Sequence, residues 1–389
     1  MQANKRKQPE AETQQAKAEG TKMEAAQQGP SKAVRLEPGG ASSEARLQYQ
    51  TNPQFLASLL YTRADQLRVP ENRVFVAERT DKVVDVFKGL IKHNFLSVPV
   101  LMKTGHKYYG FLDMGDIVQY VCDHFGAHRL SSSEDFWNLV AEEEAFQEKT
   151  VNDIMKGPRT LRNPFHPIKS DYSLLYAIEA LAKDPQLHRL TVIDDNRRIM
   201  NLLTQSQVVE FLQKNLNLIG SKKDKPLNLV TALPREVFSI KMSQQAIEAF
   251  QLMESEVSIF HTSLFLRTLL TSINFDLKGV SGVAVVDDET GKLMSALSLR
   301  DLKAITEDGR LFWRLFQKAN NFIRHLKADL RSADERPRSV VFCKMDNTLG
   351  DVINMCAEHK IHRVFIVDDE KKPISVVSLK DVLLELISA

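Results

Sequence analysis

The sequence predicts an α/β protein made of four β-α-β-β-α repeats arranged as two tandem pairs, behind a disordered N-terminal tail. Three observations carry that prediction. An apolar strand closed by two acids recurs at Leu190-Thr191-Val192-Ile193-Asp194-Asp195, at Val283-Ala284-Val285-Val286-Asp287-Asp288 and at Val364-Phe365-Ile366-Val367-Asp368-Asp369. Each is followed by a turn, a second apolar strand ending in Ser or Thr (Ile199 to Thr204, Leu293 to Ser298, Ile374 to Ser378), and a helix start near Gln207, Asp301 or Asp381. Residues 1–50, by contrast, contain no Phe or Trp and no branched aliphatics beyond Val34, Leu36 and Leu47. They bury too little apolar area to offset their ordering entropy.

Taken in order, repeat one is assigned to 51–125. Its helix carries Val83, Val84, Phe87, Leu90 and Ile91 at helical spacing, and its strands are the fainter pair Ser97 to Leu101 and Tyr108 to Leu112, followed by Asp113 to Asp116. An acidic connector, 126–148, holds Phe136, Trp137, Leu139, Val140 and Phe146. Repeat two, 149–216, has Leu174, Leu175, Ile178 and Leu181 behind Asp171 or Ser173 as N-cap. A linker, 217–232, leads to repeat three, 233–306, which contains a strongly apolar insertion at 254–279. Residues 307–334 read as one amphipathic connecting helix through Phe312, Leu315, Phe316, Ala319, Phe322, Ile323, Leu326 and Leu330. Repeat four, 335–389, has Leu349, Val352, Ile353 and Cys356 behind Asn347 and Thr348. One such unit is marginal alone; two hide each other's sheet faces.

Charge excludes several classes. The net charge of +2 resides in residues 1–50, with eight basic against six acidic side chains, so residues 51–389 are neutral. That balance gives no support for nucleic-acid binding through a general basic excess. Cys122, Cys343 and Cys356 form no C-x-x-C pair, so neither a disulfide framework nor a cysteine zinc site is expected. His359 and His362, spaced i, i+3, are discounted as a metal site. No apolar run reaches the length of a membrane span. The expected location is the cytoplasm; Lys5-Arg6-Lys7 reads either as a nuclear signal or as part of a solvated tail. No P-loop, nucleophile elbow, H-E-x-x-H helix or kinase signature is present, so no catalytic residue is assigned and an enzyme is not expected.

The run Lys360-Ile361-His362-Arg363-Val364-Phe365-Ile366-Val367-Asp368, with Ser378-Leu379-Lys380-Asp381 after it, resembles the CBS domain, a module found in tandem pairs called Bateman modules. Over roughly 65–389 the chain resembles the gamma subunits of AMP-activated protein kinase. His188-Arg189 and His362-Arg363 stand before the strands of repeats two and four, and Val280-Ser281 before that of repeat three. Asp116, Asp301 and Asp381 stand in repeats one, three and four, with Gln207 in repeat two. Both irregularities match that family.

The resemblance implies ribose binding by Asp116, Asp301 and Asp381. It implies phosphate binding by His188, Arg189, Ser281, His362, Arg363, Ser298, Ser378, Lys380 and Thr204, with AMP, ADP or ATP as ligand and no cofactor. The chemistry is apt, since a carboxylate at a helix start accepts ribose hydroxyls and Arg forks onto phosphate. The same residue types also make ordinary helix caps, and His-Arg also occurs as plain structure. Leu96-Ser97, Leu187 and Thr204-Gln205-Ser206-Gln207 lack the family's basic character, which predicts weakened or lost binding at one or more repeats.

The implied function is a non-catalytic subunit that senses adenine nucleotides and controls a protein kinase complex, with a catalytic and a scaffold subunit as partners. The alternative is a nucleotide-independent CBS scaffold regulating a phosphatase or cell-cycle complex.

Overall fold

The computed structural model describes residues 48–67, 75–93, 95–102, 108–132, 135–155, 165–184, 187–258, 282–305, 312–332 and 340–388, without the side chains of 254–258, 303–305 and 329–332. Most of the tail, most of the apolar insertion, both ends of the 307–334 connector and Ser281 lie outside the described residues.

Four three-stranded sheets follow one plan. They are β1 (Ala77–Glu78), β2 (Ser97–Leu101) and β3 (Tyr108–Asp113); β4 (Pro167–Lys169), β5 (Arg189–Ile193) and β6 (Ile199–Thr204); β7 (Ser239–Lys241), β8 (Gly282–Val286) and β9 (Leu293–Ser298); and β10 (Phe342–Cys343), β11 (Arg363–Val367) and β12 (Pro373–Ser378). In each, the first strand runs parallel to the second and the third antiparallel to it. A parallel pair needs a crossover, and the helices Val83–Lys92, Leu174–Lys183, Ala246–Ser258 and Leu349–Glu358 supply it. Ser173 and Thr348 cap the second and fourth of these.

The sheets pair within each tandem module. Ala284, Val286 and Leu293 of repeat three meet Phe365 and Val367 of repeat four. In the first module Phe165 stacks on Tyr108 with centroids 4.3 Å apart. The helices pair the other way: one core joins repeats one and three, a second joins repeats two and four.

The segments leading into each repeat are exchanged. Backbone bridges tie Arg63 to Ser173, Lys82 to Thr150, Pro226 to Thr348 and Gln245 to Lys318. The stretch 51–67, grouped by sequence with repeat one, therefore packs on repeat two through Phe55 and Leu59. Val151 and Ile154, grouped with repeat two, fill the core of repeats one and three. The pattern persists because each lead segment satisfies backbone groups at the helix start of its neighbour, as where Val83 N donates to Lys149 O.

Two local expectations change. The described part of the 307–334 connector is a 3-10 turn, Phe312–Phe316, and a separate helix, Ala319–Ser332. The break at Gln317 and Lys318 lets Gln317 O accept from Ala246 N and start the repeat-three helix. The tail boundary also moves, since Gln50 N already donates to Ser221 Oγ.

Candidate functional site

All four repeats place the first residue of their central strand opposite the last residue of the third strand, just before the closing helix or 3-10 turn. The pairs are Ser97 with Asp113, Arg189 with Thr204, Gly282 with Ser298 and Arg363 with Ser378. Side chains at these positions leave the sheet edge beside a helix N-terminus, where backbone N–H groups favour anions.

The carboxylates assigned to ribose sit three residues further on, as partners of the cap. Asp116 Oδ2 accepts from Asp113 N, and Asp301 Oδ2 from Ser298 N and Oγ. Asp381 Oδ2 accepts from Ser378 N at 2.9 Å and Ser378 Oγ at 2.7 Å. In repeat two Gln207 Oε1 takes the same place against Thr204 N. The helices so closed start at Gln205 and Leu379 rather than at Gln207 and Asp381, and in repeat three a 3-10 turn spans Leu299–Ile305. The backbone N–H groups of Ser298, Ser378 and Thr204 themselves donate to the side chains three residues on.

The arginines of the even repeats cross to the odd ones. Arg189 reaches Asp113 at 3.5 Å and lies over the Phe111 ring. Arg363 Nη1 donates to Gly282 O at 3.2 Å. A Cβ on Gly282 would fall 2.8 Å from Arg363 Nε, so the glycine makes room for the guanidinium. Burial pulls Arg363 down to about 10, partly offset by the nearby Asp381, which leaves it cationic at neutral pH.

His188 and His362 precede these arginines in the chain, carry solvent-exposed side chains, and lie within electrostatic reach of each other. Burial first, then Arg189, Lys380 and Arg363, pulls His188 down to about 4 against the opposing pull of Asp113. Burial, Arg363, Arg300, His188 and Arg189 do the same to His362. Both imidazoles are therefore neutral at pH 7. They offer a hydrogen-bonding face while the charge comes from Arg189, Arg300, Arg363 and Lys380, which repeats two, three and four contribute.

Arg300 is a residue that sequence reasoning passed over, although Ser298-Leu299-Arg300-Asp301 repeats Ser378-Leu379-Lys380-Asp381 with one basic residue exchanged for another. Its Nη1 donates to Lys360 O at 2.7 Å. It lines a cavity of about 140 Å³ with Ser206, Glu210, Cys356, His362 and Leu379. Ser206 stands where repeat two lacks a basic side chain, and Arg300 brings one there from repeat three. Arg235, also passed over, forms an ion pair with Asp381 Oδ1. Among the described residues no cluster of His, Cys, Asp and Glu has the makings of a metal site, and no helix is long and apolar enough to cross a membrane.

The CBS domain model matches residues 67–123 and 337–388, in repeats one and four. The structure gives repeats two and three the same strand order. In sequence the chain is 24% identical over 325 residues to the gamma subunit of 5'-AMP-activated protein kinase of Dictyostelium discoideum, a match covering 80% of this chain and 49% of that one. It is 26% identical over 260 residues to the SNF1-related protein kinase regulatory subunit gamma-1-like of Arabidopsis thaliana, covering 64% and 52%. The 5'-AMP-activated protein kinase gamma subunit of Kluyveromyces lactis is 23% identical over 351 residues, covering 87% and 92%. The chain thus spans about half the length of the first two relatives. Among solved structures, a Methanocaldococcus jannaschii protein described as a candidate archaeal homolog of g-AMPK aligns with a TM-score of 0.53 at 15% identity, covering 83% of this chain and 99% of that one. That likeness concerns the fold.

Proposed function

We propose, for a chain that is a four-repeat CBS-domain protein resembling the gamma subunits of AMP-activated protein kinase, a role as a non-catalytic regulatory subunit. It senses AMP, ADP and ATP and controls a protein kinase complex with a catalytic and a scaffold partner. One observation carries the ligand class. Arg189, Arg300, Arg363 and Lys380 act with two neutral histidines at one place, although residues 51–389 are neutral overall. Phosphate is the ligand chemistry that gathers such a set.

Asp116, Asp301 and Asp381 act on ribose, Asp381 through the oxygen that the capping box leaves over. Arg189, Arg363, His188, His362, Lys380 and Arg300 act on phosphate. Ligands differing in phosphate number switch the protein only insofar as they bind one conformation better than another.

Calorimetry tests this. Arg363→Ala and Asp381→Asn, the latter keeping a cap acceptor, are each expected to weaken AMP binding about tenfold. Unchanged affinity in both overturns the site. A second reading, the nucleotide-independent scaffold for a phosphatase or cell-cycle complex, draws on the Arg235–Asp381 ion pair, which occupies the ribose carboxylate. Co-purification of AMP or ATP with the protein separates the two.

A further inference from the structure

The linker between repeats two and three is fastened along the last helix, Leu379–Ile387, step by step. Lys222 Nζ donates to Ser388 O at 2.9 Å, and Lys225 Nζ to Glu385 Oε1 at 2.5 Å. Thr231 N reaches Glu385 Oε2, and Arg235 pairs with Asp381 Oδ1 while its N donates to Ser375 Oγ at 2.8 Å. Linker positions 222, 225 and 231, and position 235 at the entry to repeat three, thus meet 388, 385, 385 and 381. Glu385 and Asp381 lie one turn apart on one helix face.

The two ends of this fastening differ. Lys222, Lys225 and Glu385 are buried, with Lys225 and Glu385 side chains 4% and 3% exposed. Breaking a buried pair by removing one partner is strongly unfavourable, so that end stays closed. At the other end the Arg235 side chain is 30% exposed, while the Asp381 side chain it covers has no accessible surface. Asp381 Oδ2 is already taken by Ser378. The oxygen left for any outside hydroxyl is the one under Arg235.

We propose that Arg235 is a competitor built into the chain for the ligand of repeat four. A ribose reaches Asp381 only when the guanidinium leaves, and that departure frees the linker just before it enters β7 of repeat three. Occupancy of repeat four is thereby coupled to the link between the two modules. The proposal rests on the reading of Asp381 as a ribose carboxylate. By thermodynamic reciprocity, the factor by which Arg235 weakens the ligand equals the factor by which the ligand weakens the linker contact.

The test uses the full chain with AMP as probe. Arg235→Ala and Arg235→Gln, the second keeping a neutral donor, are expected to bind AMP at least ~5-fold more tightly. The gain should disappear in an Asp381→Asn background. In the unsubstituted protein, saturating AMP is expected to speed amide hydrogen exchange at 231–235. Binding that is unchanged or weaker in both Arg235 variants, or linker exchange indifferent to AMP, overturns the competitor while leaving the nucleotide reading in place. Absence of AMP binding in both the unsubstituted protein and Arg235→Ala overturns the nucleotide reading, and the competitor with it.

Discussion

Acidification is expected to unfold this protein through two histidines. An imidazole in the unfolded chain titrates near 6.5, whereas His188 and His362 in the folded chain are pulled down to about 4. Between those values the unfolded chain binds more protons than the folded one, so stability is complete above 6.5, falls with decreasing pH, and levels off below 4. Both side chains are solvent-exposed in the fold, so screening keeps the loss from pH 7 to pH 5 below the ~2 kcal/mol per histidine that the full displacement would give. The groups holding His188 down are Arg189, Lys380 and Arg363, against Asp113; those acting on His362 are Arg363, Arg300, His188 and Arg189. Urea denaturation at pH 7 and pH 5 reads the effect, comparing the unsubstituted chain with His188→Gln/His362→Gln. Glutamine retains a hydrogen-bonding group without titrating, so other acid-sensitive groups cancel in the comparison. The double variant should lose less stability over this interval. Equal losses in the two proteins refute the reasoning. AMP should also reduce the loss in the unsubstituted protein, because a bound phosphate stabilises the imidazolium.

Gly282→Ala places a methyl group 2.8 Å from Arg363 Nε and pushes the guanidinium out of its seat. AMP affinity should fall about tenfold by calorimetry without any change of charge, and unaltered affinity argues against a fixed role for Arg363. Thr204→Ala removes the cap that accepts from Gln207 N and should cost about 1 kcal/mol of stability with AMP affinity preserved. A loss of affinity there would place Thr204 in the phosphate site.

The repeat plan was legible because it is written locally. Alternating apolar runs and Ser/Thr-x-x-Asp/Gln boxes specify strand, turn and helix within a few residues. Where each lead segment docks was not legible. Nothing in 51–67 marks repeat two as its neighbour; the Arg63 bridge to Ser173 exists only once the sheets have paired. The same distinction separates the site residues. His188-Arg189 and His362-Arg363 stood out by repetition, and the structure gathers them. Ser298, Ser378 and Thr204 were equally visible, but a hydroxyl before a helix serves a cap and a phosphate alike, and only geometry shows where its neighbouring N–H points. Arg300 carried a signal in its match to Lys380. Arg235 carried none, since a linker arginine becomes informative only when a distant carboxylate lies under it.

The division of labour between odd and even repeats gives the site its logic. Arg189 and Arg363 hold equivalent places, and each leaves its own sheet to meet the strand end of the odd repeat beside it, at Asp113 and at Gly282. A ligand that moves either arginine therefore acts on two sheets at once. The helix cores then carry that change between modules, because they join one with three and two with four. A few cations suffice to bias such an assembly because packed interfaces shift between discrete arrangements rather than deforming continuously.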